Sequence, residues 1–147
     1  MDTSSSRLAS TGSSVLVSLS EFGKKLLAAD TKEDYDACLT HLMDKGPSQI
    51  DLEITSLSPL GGGTDELMQQ FLSMILSGLA ARSNFEACQA YLSLFLKTHA
   101  DAVIESPEMR DTLDKIKEQQ TLAWTELEEK LVASSTLVAF FKNSVIC

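Results

Sequence analysis

The last third of the chain contains an uninterrupted helix-forming stretch, which constrains the fold more than any other feature of the sequence. Ser106 and Pro107 supply an N-cap and a proline at the first helical position. Neither glycine nor proline follows before about Asn143. A continuous helix over this stretch would span about 54 Å at 1.5 Å per residue. A domain of this size does not need so long a helix, so we expect its far end to project or to bend back.

The apolar residues of this stretch recur at a spacing near 3.5, which is typical of a heptad-like seam. Gln120 and Ser134 fill the polar gaps of the seam, whose apolar members are Met109, Leu113, Ile116, Trp124, Leu127, Leu131, Val138 and Phe141. The far end is rich in apolar side chains, and exposed apolar patches mark sites of protein interaction. The predicted partner-docking residues are therefore Leu137, Val138, Phe140, Phe141, Val145 and Ile146.

Five shorter helices are predicted before this one, because apolar residues recur there at spacings of three and four. They cover residues 14–29, 31–45, 47–56, 64–81 and 85–104, and no stretch alternates with period two long enough for a strand. The fourth is apolar nearly all round, as expected of a central helix. A connection of about two residues predicts that the fourth and fifth form an antiparallel hairpin. The predicted class is all-α: antiparallel helical hairpins, in a short solenoid or bundle, ending in one long C-terminal helix.

Capping residues mark several of these helix ends. Thr31 is a predicted N-cap with Asp34 at the N3 position, and Thr64 and Asn84 cap the fourth and fifth helices. Gly46 is expected at the C′ position that ends the second helix, and Pro47 opens the third.

The fifth helix carries two apolar stripes, one with Cys88, Leu92, Phe95 and Leu96 and the other with Ala87, Tyr91, Leu94 and Thr98. Two stripes imply contacts on two sides of the helix. The outer of the two stripes is expected to join the last helix in an exposed docking surface.

A chain of 147 residues, 44% of them hydrophobic and 22% charged, fits one globular domain. Residues 1–13 are rich in serine and are predicted to be a flexible lead-in, with a single helical domain over residues 14–147. No apolar run approaches the roughly 18 residues that span a bilayer, so no membrane partner is expected. The odd, widely spaced Cys38, Cys88 and Cys147 argue against a disulfide framework.

The sequence offers no constellation for catalysis, cofactor binding or metal binding. Cys88 lies in an apolar stripe, which favours a buried thiol over a nucleophile. His41 and His99 are expected as partly exposed residues near helix C-termini, where a cation is favourable. The glycines at 61–63 lack the Lys-Ser/Thr of a P-loop, and Asp65 with Glu66 would repel a phosphate. We therefore predict that the chain is not an enzyme, has no cofactor and takes no small-molecule substrate.

The net charge of −9 disfavours direct attraction to nucleic acid, because neutralising phosphates needs an excess of Lys and Arg. Lys24 and Lys25 form the only basic doublet. Docking onto other proteins is thus favoured over nucleic-acid binding, and a generic helical scaffold remains an alternative.

Two segments resemble a family signature. The first is Gly46-Pro47-Ser48-Gln49-Ile50 followed by residues 53–59, and the second runs from Asn84-Phe85-Glu86 through Gln89-Ala90-Tyr91-Leu92 to His99. Together with Trp124 in a long following helix, they are similar to the C-terminal helical domain of the WD-repeat subunit of the UtpB subcomplex, part of the small-subunit processome. The resemblance covers residues 15–145.

The resemblance implies a fragment of a larger WD-repeat protein that acts in 18S pre-rRNA processing in the nucleolus. Its expected partners are other UtpB subunits and pre-ribosomal proteins, with pre-rRNA contacted only indirectly; direct pre-rRNA binding is the alternative. The motif residues are interpreted as structural rather than catalytic: Gly46, Pro47, Phe85, Glu86, Tyr91, Leu92, Phe95, Leu96 and Trp124.

Overall fold

The computed structural model describes residues 19–146, without the side chains of residues 144–146. The predicted lead-in and the start of the first predicted helix lie outside this part. Within the described residues the protein is all-α, as predicted. Its helices are α1 (Glu21–Ala28), α2 (Lys32–Met43), α3 (Pro47–Thr55), a 3₁₀ turn (Pro59–Gly61), α4 (Asp65–Ala80), α5 (Phe85–Glu105) and α6 (Pro107–Ile146).

Side-chain caps explain several helix starts. The Thr31 hydroxyl accepts from the backbone N–H of Asp34 while the Asp34 carboxylate accepts from the N–H of Thr31, which completes a capping box on α2. Thr64 accepts from the N–H of Leu67 and begins α4. Ser106 accepts from the N–H of Met109 and begins α6. These three predicted caps are confirmed.

Helix α4 is the centre of the bundle, as its composition predicts. It packs against α1, α2, α5 and α6, and half of its residues are buried: Leu67, Met68, Phe71, Leu72, Met74, Ile75, Gly78 and Leu79. Gln70 on this helix donates to the carbonyls of Leu26 and Ala29 and accepts from the Tyr35 hydroxyl. The central helix therefore also satisfies the open carbonyls at the end of α1.

The predicted antiparallel hairpin of α4 and α5 is confirmed, with residues 81–84 as its turn. Phe71 stacks on Phe95 with ring centroids 5.1 Å apart. Nearer the turn, Gly78 faces Cys88 so closely that a Cβ added to the glycine would lie 2.5 Å from Cys88 Sγ. The missing side chain at Gly78 lets the two helices approach.

Three predicted helix ends differ from the structure. Ser20 is extended and caps α1 through the N–H of Gly23, so α1 begins at Glu21 and Ser20, which was predicted to lie inside a helix over residues 14–29, is not helical. Gly46 is not a left-handed C′ residue: α2 ends at Met43 with Asp44 as its C-cap, and Gly46, with φ −71°, is the N-cap of α3. Asn84 is the N-cap of α5 but is left-handed and makes no side-chain cap.

His99 contradicts the expectation of a partly exposed imidazole near a helix end. It is 5% exposed, and its backbone, with φ −119° and ψ 18°, kinks α5 six residues before the helix ends. The Nε2 atom lies 2.7 Å from the carbonyl oxygen of Ile54, and the ring packs at a tilt on Phe95. His99 thus joins α5 to α3, because a buried imidazole needs a polar partner.

Candidate functional site: the exposed half of the last helix

The first turns of α6 belong to the bundle. Met109, Thr112 and Ile116 are buried on one side of the helix. Thr112 accepts a hydrogen bond from Gln69 of α4, and Gln120 donates to Gln89 of α5, each at 2.7 Å. Both neighbouring helices therefore hold α6 over residues 109–120.

Arg82, in the α4–α5 turn, makes the last described contact between the bundle and α6. Its backbone is left-handed, with φ 57°. The guanidinium donates to the carbonyl of Leu79 at the end of α4, to Gln119 and, through two nitrogens, to both carboxylate oxygens of Glu126. This hydrogen bonding lowers the pKa of Glu126.

Beyond Gln120 the helix leaves the bundle. Residues 121–143 are exposed except Ala123, which is half-buried, although the helix continues without a break to Ile146. Of the two courses expected for its far end, projecting or bending back, the structure shows the first. At 1.5 Å per residue, the exposed part is about 35 Å long.

The exposed part presents an apolar seam, which we call the distal seam: Trp124, Leu127, Leu131, Ser134, Val138 and Phe141. Its five apolar residues are 46% to 64% exposed. The seam continues the face that α6 buries against the bundle. Leu113 and Leu131 are about five whole turns of helix apart, and Ile116 and Leu127 about three, so the two members of each pair lie on the same side of α6. The face of α6 that the bundle buries near Met109 is therefore exposed to solvent from Trp124 onward.

The predicted docking residues fall on this exposed half. Leu137, Val138, Phe140 and Phe141 are 55% to 65% exposed, and the rings of Phe140 and Phe141 meet edge to face. Val145 and Ile146 lie in the helix, but their side chains are outside the described part. Of the described docking residues, only Val138 and Phe141 belong to the distal seam.

The second apolar stripe of α5 does not form an exposed surface, contrary to expectation. Tyr91 is buried, and Ala87 and Leu94 are half-buried and pack against the core. The bundle covers this stripe because α3, α4 and α6 all pack against α5. The candidate docking surface is therefore confined to α6.

Most of the motif residues lie inside the bundle. Tyr91, Leu92 and Phe95 are buried, while Phe85 and Leu96 are half-buried against the core. Pro47 opens α3 next to Gly46, and Glu86 is an exposed acid in the first turn of α5. Trp124 is different. It is 61% exposed on the distal seam, and its Nε1 donates to Glu128 at 2.8 Å.

The side chains considered for chemistry are partly or fully withdrawn from solvent. Burial raises the pKa of the Cys88 thiol to about 11, so the thiolate needed for nucleophilic attack is scarce at neutral pH. His41 is half-buried, with its ring stacked on Phe22. Residues 19–146 contain no group of three or more His, Cys, Asp or Glu side chains placed to hold a metal ion.

The glycines at 61–63 build a tight turn. Ser58 O accepts from the N–H groups of both Gly61 and Gly63. A Cβ at either glycine would collide with the backbone of residues 55–57, and Gly62 is left-handed. At the start of α4, the N–H of Leu67 already donates to the Thr64 hydroxyl. The glycines are therefore explained by the packing of the turn.

Sequence reasoning missed one buried acid. Glu53 is 6% exposed, accepts from the Ser20 hydroxyl at 2.6 Å and lies 3.9 Å from the Lys45 ammonium. Glu53 thus ties α3 to the N-cap of α1 and to the connection between α2 and α3. The sequence did not indicate that Glu53 is buried. Its apolar neighbour Leu52 would be expected to face the core, yet Leu52 is 57% exposed and Glu53 faces inward.

No helix among the described residues has the length and apolar character needed to cross a bilayer.

The chain has clear relatives among characterised proteins. It is 36% identical over 132 residues to human WD repeat-containing protein 36, covering 90% of this chain and 15% of that protein. It is 28% identical over 121 residues to U3 small nucleolar RNA-associated protein 21 of Saccharomyces cerevisiae, covering 82% and 12%. The Schizosaccharomyces pombe homologue of the latter is 33% identical over 100 residues, covering 68% and 10%.

The chain spans less than a sixth of the length of these three relatives. A family model described as the Utp21 specific WD40 associated putative domain matches residues 1–142. Since the match covers nearly the whole sequence, the chain belongs to the Utp21 WD40-associated domain family.

Proposed function

We propose that this domain is a non-catalytic assembly module that joins its protein to the small-subunit processome, and that it does so through the distal seam of α6. The single observation that carries the proposal is the exposure of a continuous apolar face on a helix that is otherwise well packed. Apolar side chains at helical spacing are a common docking surface for helical partners.

The relatives supply the setting. Two of them are named as U3 small nucleolar RNA-associated proteins, and one as a WD repeat-containing protein. The proposal therefore places the domain in a longer WD-repeat protein of the nucleolus that acts in 18S pre-rRNA processing. Its direct partners are proposed to be other UtpB subunits and pre-ribosomal proteins.

Charge favours a protein partner over RNA at this surface. Residues 121–143 carry three acids, Glu126, Glu128 and Glu129, against the two cations Lys130 and Lys142. A phosphate backbone needs a contiguous basic surface, which this segment does not offer. Pre-rRNA is accordingly proposed to be contacted through other proteins.

The test uses the full-length protein expressed in cells with Val138→Asp or Leu131→Asp. Each places a charge in the distal seam, and co-purification of the other processome proteins should be lost. Val132→Asp is the matched control, because Val132 is 66% exposed on another side of the same helix. Removal of residues 137–147 should reproduce the loss. Normal co-purification with both seam variants would refute the assembly role of the seam.

A further inference from the structure

The distal seam has the pattern of a self-complementary surface. Written as a heptad repeat, Trp124, Leu131 and Val138 take the a positions, and Leu127, Ser134 and Phe141 take the d positions. We propose that the seam pairs with the same seam of a second copy of this chain, antiparallel, when no other subunit covers it. The inference rests on the proposed function in one respect, that the seam is a docking surface. It adds that a second copy of this chain can bind there.

The position of the bundle decides the direction of pairing. Because the distal seam continues the face that α6 buries, α1–α5 lie on the seam side of the helix. Two copies paired in parallel and in register would bring both bundles into the same space. An antiparallel pair places the bundles at opposite ends, and the free helix of residues 124–141, about 27 Å long, accommodates the matching segment of the second copy.

The antiparallel register follows from the residues. Packing each a position on a d position of the second copy sets Trp124 against Phe141, Leu127 against Val138, and Leu131 against the small Ser134. The aromatic pair Trp124 and Phe141 then fills the layer at each end of the seam, and the layers between them set a leucine against a smaller side chain.

Charge supports the same register. Glu128 and Lys142 both take e positions, and e positions of antiparallel helices face each other. Side chains in a helix lean toward its N-terminus, so in this register Glu128 of one copy leans toward Lys142 of the other, and the symmetric contact repeats it. Lys142 is the only charged residue in 131–146. Parallel pairing would instead set Lys142 beside Leu137.

The experiment measures self-association of the 147-residue chain by sedimentation equilibrium over a wide concentration range. The unmodified chain should form a dimer. Lys142→Glu and Glu128→Lys should each weaken it about tenfold, since two attractive pairs per dimer become repulsive. The double variant with both reversals should restore it. Glu129→Lys is the matched control: the same reversal one residue along, on the side of α6 away from the seam, should leave association unchanged.

The direction is tested by disulfide formation in a Cys147→Ser background. A mixture of Leu127→Cys and Val138→Cys chains should form the mixed disulfide in preference to either disulfide between identical chains. Identical-chain disulfides as the main product, a chain that stays monomeric, or a dimer indifferent to charge reversal at 128 and 142 would each overturn the proposal.

The two proposals fail separately. If self-association is absent but Val138→Asp still abolishes co-purification, the self-pairing inference is wrong and the assembly role stands. If the dimer forms as described but the seam variants co-purify normally, the assembly role is wrong.

Discussion

Arg82 and Glu126 are 44 residues apart in sequence, yet Nε and Nη2 of the Arg82 guanidinium donate to the two carboxylate oxygens of Glu126 at 3.1 and 3.2 Å. A two-point contact of this kind fixes orientation as well as distance. It lies where α6 leaves the bundle, so it sets the direction in which the distal seam projects.

Replacing Arg82 by alanine should loosen this junction. We expect the backbone amides of residues 119–130 to exchange with solvent about threefold to tenfold faster in hydrogen–deuterium exchange, while those of α4 stay protected. Glu126→Gln should show a smaller effect, because Arg82 keeps its contacts with Leu79 and Gln119. Lys130→Ala is the control, and unchanged exchange in the Arg82 variant would contradict the role of this contact.

Gly78→Ala should destabilise the α4–α5 hairpin by about 1–3 kcal/mol, although alanine is the better helix former, because the added Cβ overlaps Cys88 Sγ. In a Cys88→Ala background the same change should cost clearly less, since the sulfur is gone. Urea unfolding of the two single variants and the double variant measures this coupling. Ser77→Ala serves as the neighbouring control, and equal costs in both backgrounds would refute the contact.

Gly46→Ser should stabilise the protein by about 0.5 kcal/mol. Gly46 is the N-cap of α3 with an ordinary extended backbone, it has no capping side chain, and an added Cβ meets nothing within 4 Å. A serine hydroxyl could accept from the open N–H groups of the first turn. Thermal unfolding compares this variant with Gly46→Ala, which lacks the hydroxyl. Destabilisation by both would mean that the position requires glycine.

Asp34 should make α2 sensitive to acid. Backbone hydrogen bonds from Thr31 and Asp30 lower the pKa of this carboxyl. A lowered folded pKa contributes stability above the unfolded value of about 3.9, and the contribution is lost as the pH falls through the folded value. An NMR titration of the carboxyl should give a pKa below the ordinary value. Asp34→Asn should flatten the pH dependence of stability in this range, and an unchanged pH dependence would contradict the role of this carboxyl.

Local sequence determined most of the helices. Capping at Thr31 and Thr64, proline at 47 and 107, and the run without glycine or proline after Pro107 act within a few residues, so they could be interpreted from the chain alone. The same local competition explains the error at Ser20: its hydroxyl accepts from the N–H of Gly23, and this capping conformation takes Ser20 out of the helix that apolar spacing alone predicted there.

Burial of single polar residues required the tertiary structure. His99 and Glu53 look like surface residues in sequence because their partners, the Ile54 carbonyl and the Ser20 hydroxyl, lie 45 and 33 residues away. Arg82 likewise looks like a surface residue in sequence, because its partner Glu126 lies on another helix, 44 residues away. No spacing rule predicts such contacts, since they depend on how helices cross.

The last helix shows the division most clearly. Its sequence by itself determined a long helix and an apolar seam, because helix propensity and side-chain period are local properties. The tertiary structure decided that the face is buried from Met109 to Gln120 and open from Trp124 onward. The physical reason is length: the α4–α5 hairpin ends at its turn, and α6 continues past it with the same face uncovered.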